Sequence, residues 1–166
     1  MIITFFGHAT YQYDENDEKK LMELIESVSR SEKVDFYLGG YGNFDFLAKK
    51  CAQRYKEKHR NSRIIFVTPY LNKWLDIRKE YIERNYDEII YPELEQVPLK
   101  FAILKRNEWM IDLADHVFVF VKTHYGGAYK ALIYAKKHRK AFTNIYSGEY
   151  DLFKFKKLSL SGYLLL

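Results

Sequence analysis

The sequence predicts an α/β protein with a mostly parallel sheet of about five to six strands. Short apolar segments rich in β-branched and aromatic residues alternate about six times with longer segments whose apolar residues recur at helical spacing. This alternation is typical of α/β domains, in which a helix crosses between neighbouring parallel strands. No internal repeat interrupts the pattern. We therefore expect a domain over residues 1–146 and an extension over residues 147–166 that forms a strand or a docked tail.

The predicted strands are short and end at glycine, proline or polar residues, as buried strands usually do. The first strand, "IITFF", stops at Gly7, and the second, "VDFYL", stops at the "GGYG" of residues 39–42. The predicted strands comprise residues 2–6, 34–38, 63–70, 87–93, 116–121 and 141–146.

The predicted helices follow each strand and carry an apolar face. Acidic residues open the helix at 14–30, where they suit the positive end of the helix dipole. Pro98 precedes the helix at 99–115, since proline is tolerated where a helix begins. The predicted helices comprise residues 14–30, 44–60, 71–86, 99–115 and a segment after Gly127.

Three glycine-containing loops lead from a strand into a helix. They contain Gly7, the residues 39–42 and the pair Gly126 and Gly127. Every strand-to-helix loop of a parallel sheet lies at the carboxyl edge, where such folds bind ligands. We therefore expect these loops to meet along one edge.

The pair Gly126 and Gly127 is open to two interpretations. The unpaired amides at the start of the next helix attract phosphate groups, and glycine allows a ligand to approach the backbone closely. Lys130 in the first turn is unfavourable for the helix itself, which indicates an anionic ligand. The alternative is that the glycines only permit a tight turn.

Two segments resemble the SLOG superfamily, a Rossmann-like group that includes the LOG phosphoribohydrolases, DprA and YpsA-like proteins. "YLGGYGNFDFLAKKCA" resembles its "GGG..GLM..VA..A" segment. "KRNEWMIDLADHVFVFVKTHYGGAYKA" resembles the LOG stretch that ends in "PGGxGTxxE", with Arg106, Met110 and Asp115 at matching positions. The resemblance implies a Rossmann-like three-layer sandwich, nucleotide binding and a homodimer or higher homo-oligomer.

The sequence departs from the LOG motif where catalysis takes place. Ile133 stands at the position of the LOG glutamate, and Asn107 replaces the lysine that follows the LOG arginine. The loop therefore keeps its anion-binding glycines without the hydrolytic carboxylate.

Two other carboxylates are candidates for catalysis. Asp45 follows "GGYGNF" and Glu108 follows Arg106 by two residues, but the alternative for Asp45 is a structural helix cap and for Glu108 an exposed helix residue. Arg106 either clamps a phosphate or lies on the surface. His8 either contacts the ligand or is an ordinary loop histidine with satisfied hydrogen bonds, and Tyr125 either stacks on a base, packs in the core or is simply exposed. The candidate ligand-binding residues are Gly7, His8, Gly39, Gly40, Gly42, Arg106, Tyr125, Gly126, Gly127, Ala128 and Lys130.

Composition narrows the classes of function. The net charge of +5 is a mild bias toward anionic ligands and disfavours nucleic-acid binding, for which no continuous basic and aromatic stripe is visible. Cys51 is the single cysteine, so we expect a cytoplasmic protein without disulfides. Neither a metal-ligand spacing nor a membrane-spanning apolar segment is present, and we expect no metal or cofactor.

Three hypotheses follow from these observations. The first is a sensor or binding module for a nucleotide or a nucleotide-derived molecule. The second is an enzyme of N-glycoside chemistry on nucleoside monophosphates, with Asp45 or Glu108 in place of the missing glutamate. The third, implied by the likeness to DprA, is nucleic-acid binding.

Overall fold

A computed structural model describes residues 1–30, 32–71 and 73–146, over which strands and helices alternate. The predicted extension at 147–166 lies outside the described residues. The strands are β1 (Ile2–Gly7), β2 (Asp35–Leu38), β3 (Arg63–Val67), β4 (Glu88–Ile90), β5 (His116–Phe120) and β6 (Phe142–Asn144). The helices are α1 (Glu15–Ser29), α2 (Asn43–Lys58), α3 (Lys73–Asn85), α4 (Leu99–Leu113) and α5 (Gly126–Lys137).

All six strands form one parallel sheet, in the order β4-β3-β2-β1-β5-β6. Ile3 of β1 pairs with Phe36 of β2 on one side and with His116 of β5 on the other. The chain builds the sheet outward from β1 to β4 and then returns to the opposite side of β1. This confirms the predicted parallel α/β fold and places its switch point between β1 and β5.

Alternating strand residues fill two separate cores, one on each face of the sheet. Phe5 packs in a cluster with Leu21 of α1 and Leu47 of α2, whereas its neighbour Phe6 packs in a cluster with Met110 of α4 and Leu132 of α5. Because successive strand side chains point to opposite faces, the sheet lies between two helical layers. The predicted three-layer sandwich is confirmed.

Local signals set the start of α1. Asp14 caps this helix, since Oδ1 accepts hydrogen bonds from the amides of Asn16 (2.8 Å) and Asp17 (3.0 Å). The side chain of Asp17 accepts in turn from the amide of Asp14 at 3.2 Å, which completes a capping box.

Over the described residues, no helix has both the length and the apolar composition needed to cross a bilayer.

Candidate functional site

A pocket of about 310 Å³ lies at the carboxyl edge of the sheet beside β1, between the loops after β1 and β2, helix α4 and the start of α5. We name it the switch-point pocket. This is the position at which open α/β sheets bind their ligands, and the volume is near the lower end of about 300–1,000 Å³ typical of ligand sites. Its lining residues are Phe5, Phe6, Gly7, His8, Ala9, Gly39, Tyr41, Asp45, Ile103, Arg106, Asn107, Gly126, Gly127 and Ala128.

The structure therefore brings residues from all three glycine loops to one pocket. Gly7 follows from β1, Gly39 from β2, and Gly126 and Gly127 from the turn into α5. They come together because the strands are parallel, as the sequence predicts. The residues that surround these glycines determine what the pocket can bind.

Arg106 is buried beneath the pocket, with 3% of its surface exposed. It projects from α4, Nη1 donates to the carbonyl of Val67 at 2.7 Å, and the guanidinium lies 5.4 Å from the ring centre of Tyr41. Its Nε is buried without a hydrogen-bond partner among the described residues. Burial lowers the pKa of this guanidinium, while the neighbouring Asp45 opposes the shift. Arg106 is thus a buried cation with an unused donor, not the surface arginine that the sequence alone also allowed.

Asp45 lines the same pocket from the first turn of α2. Its Oδ2 accepts a hydrogen bond from the amide of Tyr41 at 2.6 Å, so the carboxylate supports the loop before the helix. Burial raises its pKa to about 6, and the amide hydrogen bonds and Arg106 limit that rise. Asp45 therefore combines a cap-like structural contact with the protonation behaviour of a general acid or base near neutral pH.

Two pocket glycines are required by packing inside the protein. A Cβ on Gly7 would overlap the ring of Phe44, and a Cβ on Gly39 would overlap the guanidinium of Arg106. These glycines allow α2 and Arg106 to approach the strand ends. Their presence is explained without a ligand.

Gly126 and Gly127 have different surroundings. Gly126 has φ +89°, a conformation that favours glycine because it costs other residues strain. Gly127 has no such φ, and apart from its chain neighbours and the backbone of its own helix, no described atom lies within 4 Å of the position that a Cβ would take. The fold therefore explains glycine at 126 but leaves open space at 127, beside the first amides of α5.

His8 links the loop after β1 to the loop after β5. Its Nε2 accepts a hydrogen bond from the amide of Lys122 at 3.1 Å and lies 3.3 Å from Oγ1 of Thr123. Burial lowers the pKa of the imidazole. Since Nε2 accepts, the neutral ring carries its proton on Nδ1, which leaves a donor for a ligand.

Several predicted site residues are not in the switch-point pocket. Glu108 pairs with Lys105 at 2.6 Å on α4 and is absent from the pocket lining. Lys130 is exposed and Tyr125 lies beside a neighbouring hollow, while Gly40 and Gly42 face a second pocket between α2 and α3. Of the two candidate catalytic carboxylates, only Asp45 reaches this site.

Other lining residues were not candidates from sequence. The apolar wall of Phe5, Phe6 and Ile103 could not be told from ordinary core, because nothing in the pattern marks an apolar residue as facing a cavity. Asn107 could have been predicted to line the pocket, because it follows Arg106 at the position where the LOG motif has lysine. Asp115, matched to the LOG motif, accepts from the amide of Ile2 at 2.7 Å and so ties β1 to β5.

The described residues contain no group of three or more histidine, cysteine, aspartate or glutamate side chains that could hold a metal ion. Ile133, at the LOG glutamate position, is 40% exposed and does not line the pocket. The switch-point pocket is thus cationic at Arg106 and acidic at Asp45, with backbone amides and an apolar wall between them.

Comparison with known proteins finds a relative in sequence. The chain is 30% identical over 135 residues to the uncharacterized SPbeta prophage-derived protein YoqJ of Bacillus subtilis, covering 71% of this chain and 79% of that protein. No protein-family model matches the chain.

Solved structures share the fold at low identity. DNA processing protein A from Streptococcus pneumoniae superposes with a TM-score of 0.61 at 16% identity over 96% of this chain. The match spans 55% of that protein, so the chain corresponds to about half of its length. The molybdenum cofactor carrier protein of Chlamydomonas reinhardtii superposes with a TM-score of 0.56 at 16% identity, covering 96% of this chain and 84% of the carrier. These likenesses confirm the predicted Rossmann-like fold.

Proposed function

The chain belongs to the family of YoqJ, with the Rossmann-like fold of the SLOG superfamily, and from this premise we propose that its switch-point pocket binds a nucleotide or a nucleotide-derived small molecule. The protein then acts as a sensor or binding module. The likeness to DprA and to the cofactor carrier supports the fold alone, because each is only 16% identical in sequence to this chain.

The buried Arg106 is the observation that carries the proposal. A buried donor without a partner costs about 1–3 kcal/mol, and a buried cation costs more unless an anion accompanies it. No carboxylate lies within 4 Å of the Arg106 guanidinium in the described ranges. Asp45 acts on the guanidinium only from beyond that distance. A phosphate in the pocket supplies an acceptor and an anion in direct contact with Arg106, and guanidinium groups bind phosphate with paired hydrogen bonds.

The start of α5 supports the same ligand class. Its N-cap residue, Tyr125, makes no side-chain capping bond to any described amide. The first amides of a helix point outward and, with the helix dipole, favour an anion. The open space beside Gly127 lets a phosphate reach these amides. Arg106 and the α5 amides thus offer donors to one anion from two sides of the pocket.

The remaining lining fits the rest of a small nucleotide. Tyr41 offers a ring for stacking, His8 offers Nδ1–H, and Asp45 offers a carboxylate for a sugar hydroxyl. The volume of about 310 Å³ favours a mononucleotide over a larger ligand.

Calorimetry with AMP, CMP, adenosine and inorganic phosphate tests this proposal. We expect a monophosphate to bind at least tenfold more tightly than adenosine. Gly127→Val should weaken monophosphate binding at least tenfold while leaving the unfolding midpoint nearly unchanged, because the added Cβ enters open space. Lys130→Ala is the matched control on the same helix, since this exposed residue lies outside the pocket lining and its loss should leave the affinity unchanged.

Equal affinity of the natural protein and Gly127→Val would contradict the phosphate position. Absence of binding by every nucleotide tested at millimolar concentration would contradict the ligand class. Mass spectrometry of small molecules retained through purification then identifies any other ligand.

A second candidate function is hydrolysis of an N-glycosidic bond in a nucleoside monophosphate. It is favoured by Asp45, whose carboxyl group lines the pocket with a pKa of about 6. In this reaction water adds to the sugar carbon as the bond to the base breaks, a carboxylate accepts the proton of that water, and the departing base takes up a proton from solvent. Chromatography should detect free base, Asp45→Asn should abolish its release, and Glu108→Gln should not. Steady release of base that survives Asp45→Asn would contradict this role for Asp45.

We also infer that two copies of the chain associate through α4. Leu99, Phe101 and Ile103 on this helix are 74%, 45% and 41% exposed, and exposed apolar side chains that lie close together mark interaction surfaces. Ile103 also lines the switch-point pocket, so a partner seated on this surface borders the site. A cytoplasmic location stays a prediction from the single cysteine, Cys51.

Because the fold resembles that of a DNA processing protein, nucleic-acid binding is the alternative function to test. We expect no retardation of single-stranded DNA at about 0.15 M salt, where weak non-specific contacts to phosphate fade. A stable complex at that salt concentration would replace the small-molecule proposal with a DNA-binding function.

A further inference from the structure

A second pocket, of about 500 Å³, lies between α2 and α3. We name it the α2–α3 pocket. It adjoins the switch-point pocket and shares one lining residue with it, Asp45. Its lining residues are Gly40, Gly42, Asn43, Asp45, Phe46, Lys49, Phe66, Arg78, Tyr81, Ile82 and Tyr86.

Lys49 is the unusual residue of this pocket, because only 6% of its surface is exposed. Its ammonium donates to the hydroxyl of Tyr81 at 2.6 Å and to Oδ1 of Asn85 at 3.0 Å. Both acceptors are neutral, and among the described ion pairs none involves Lys49. A buried ammonium is normally paired with a carboxylate, so this site holds positive charge that no carboxylate among the described residues contacts.

The charges around the pocket are unequal. Lys49 and Arg78 contribute two cations to the lining, and Asp45 contributes the one carboxyl group among the described lining residues. The Oδ2 atom of Asp45 already accepts from the amide of Tyr41. Burial raises the pKa of Asp45 to about 6, which reduces its negative charge in mildly acidic solution. The lining is therefore net positive and complements an anion.

Aromatic rings surround the ammonium group and remain partly uncovered. Nζ of Lys49 lies 4.9 Å from the ring centre of Phe46 and 4.8 Å from that of Tyr81. Phe46 is nevertheless 57% exposed and Tyr81 is 43% exposed. Cation–π contact partly stabilises the buried charge, and the free ring surfaces offer stacking area to a flat ligand.

We propose that the α2–α3 pocket is a second binding site, which takes a small anion carrying an aromatic ring. Lys49 contacts the phosphate or carboxylate group of that ligand, and Phe46 and Tyr81 contact its ring. Lys49 also ties α2 to α3 through Tyr81 and Asn85, so a purely structural role for the lysine is the competing explanation. The two explanations differ in whether an aryl anion binds.

Titration with phenyl phosphate, followed by amide chemical shifts in ¹H–¹⁵N spectra, tests the proposal. Inorganic phosphate, benzoate and benzyl alcohol are the comparison probes. We expect phenyl phosphate or benzoate to shift amides of α2 and α3, and to bind at least tenfold more tightly than benzyl alcohol and inorganic phosphate. Preference between phenyl phosphate and benzoate identifies the anionic group.

Two variants separate binding from folding. Phe46→Ala removes an exposed ring, so it should leave the fold intact and weaken aryl-anion binding at least fivefold. Lys49→Met should weaken it at least tenfold and remove the preference for the charged probes over benzyl alcohol. Lys79→Met is the matched control on α3, because this lysine is exposed and lies outside the pocket lining.

The proposal is overturned if benzyl alcohol binds as well as both phenyl phosphate and benzoate, or if Phe46→Ala leaves the affinity for the aryl anion unchanged. Should Lys49→Met fail to fold, Phe46→Ala still decides the question. Gly127→Val distinguishes the two pockets, because residue 127 lines the switch-point pocket. This variant should leave the amide chemical-shift changes that an aryl anion causes in α2 and α3 unaltered. Loss of those shifts in Gly127→Val would also overturn the proposal.

Discussion

Gly39 lies so close to Arg106 that a Cβ at position 39 would overlap the guanidinium group. Gly39 begins the loop after β2, and Arg106 extends from α4, which packs on the other face of the sheet from α2. The absence of a side chain at one position therefore makes room for the charged end of the other. Nη1 of Arg106 then reaches the carbonyl of Val67 at the end of β3.

Replacing Gly39 with alanine should displace Arg106 from this position. We expect Gly39→Ala to lower the free energy of unfolding by about 1–3 kcal/mol, the usual cost of forcing a methyl group into a filled site. It should also weaken monophosphate binding, because the displaced guanidinium no longer lines the pocket. Denaturant unfolding and calorimetry measure the two effects.

Gly127→Ala is the control for this substitution, because the same methyl group enters open space there. Its unfolding free energy should stay within about 1 kcal/mol of the natural protein, with any change toward stability. Equal stabilities for Gly39→Ala and Gly127→Ala would show that Arg106 is free to move aside.

The fold was predictable because its signals are local. Apolar strand segments such as "IITFF" and "HVFVF", together with the caps between them, do not depend on distant contacts, and parallel order then brings the loops together. The role of each glycine was not predictable. A side chain at position 7 or 39 would clash with Phe44 or Arg106, respectively. These contacts join residues that are far apart in the sequence, so no local pattern reveals them.

The site was predictable only in part, for a similar reason. Arg106 and Gly127 were found through motif resemblance, and both line the pocket. Glu108 seemed equivalent to Asp45 along the sequence, but the turn of α4 directs it to Lys105 instead. Lys49 appeared as one of several lysines on α2, since nothing local shows that α3 covers it.

Asp45 should give the protein a distinctive dependence of stability on pH. Its folded-state pKa of about 6 lies above the ordinary value of 3.8, so the folded state holds the proton more tightly than the unfolded state. This contribution is complete below about pH 4 and is lost as the pH rises through about 6. Allowing for partial exposure, the loss is roughly 1–2 kcal/mol, since one pK unit equals about 1.4 kcal/mol.

Unfolding of Asp45→Asn and the natural protein between pH 4 and pH 8 measures this effect. The asparagine variant keeps an acceptor for the amide of Tyr41 but cannot ionise. We expect it to be more stable than the natural protein at pH 7, with the difference shrinking toward zero at pH 4. Gly127→Ala, which changes no charge, should show a difference that is flat with pH. A constant difference for Asp45→Asn would contradict the raised pKa.

Cys51 should be almost unreactive in the folded protein. Its thiol is fully buried in the core between α1, α2 and the sheet, and burial raises its pKa to about 12. Because the thiolate is the reactive form, we expect a disulfide reagent at pH 8 to modify Cys51 at least 100-fold more slowly than in denaturant. Introducing Lys79→Cys adds an exposed thiol as an internal control, which should react at once. Two equally fast thiols would mean that the core around Cys51 opens readily.

The exposed apolar surface of α4 should govern the oligomeric state. Leu99 and Ile103 are one helical turn apart on the same face, so glutamate at both positions places two charges in any interface formed there. We expect light scattering to show a dimer or larger oligomer for the natural protein and a monomer for Leu99→Glu/Ile103→Glu. Ile77→Glu on α3 is the control, because Ile77 is 83% exposed and lies on a different helix. A natural protein that is monomeric at about 100 µM, or a double variant that associates as strongly, would contradict an interface on α4, since buried charges opposite an apolar surface cost several kcal/mol.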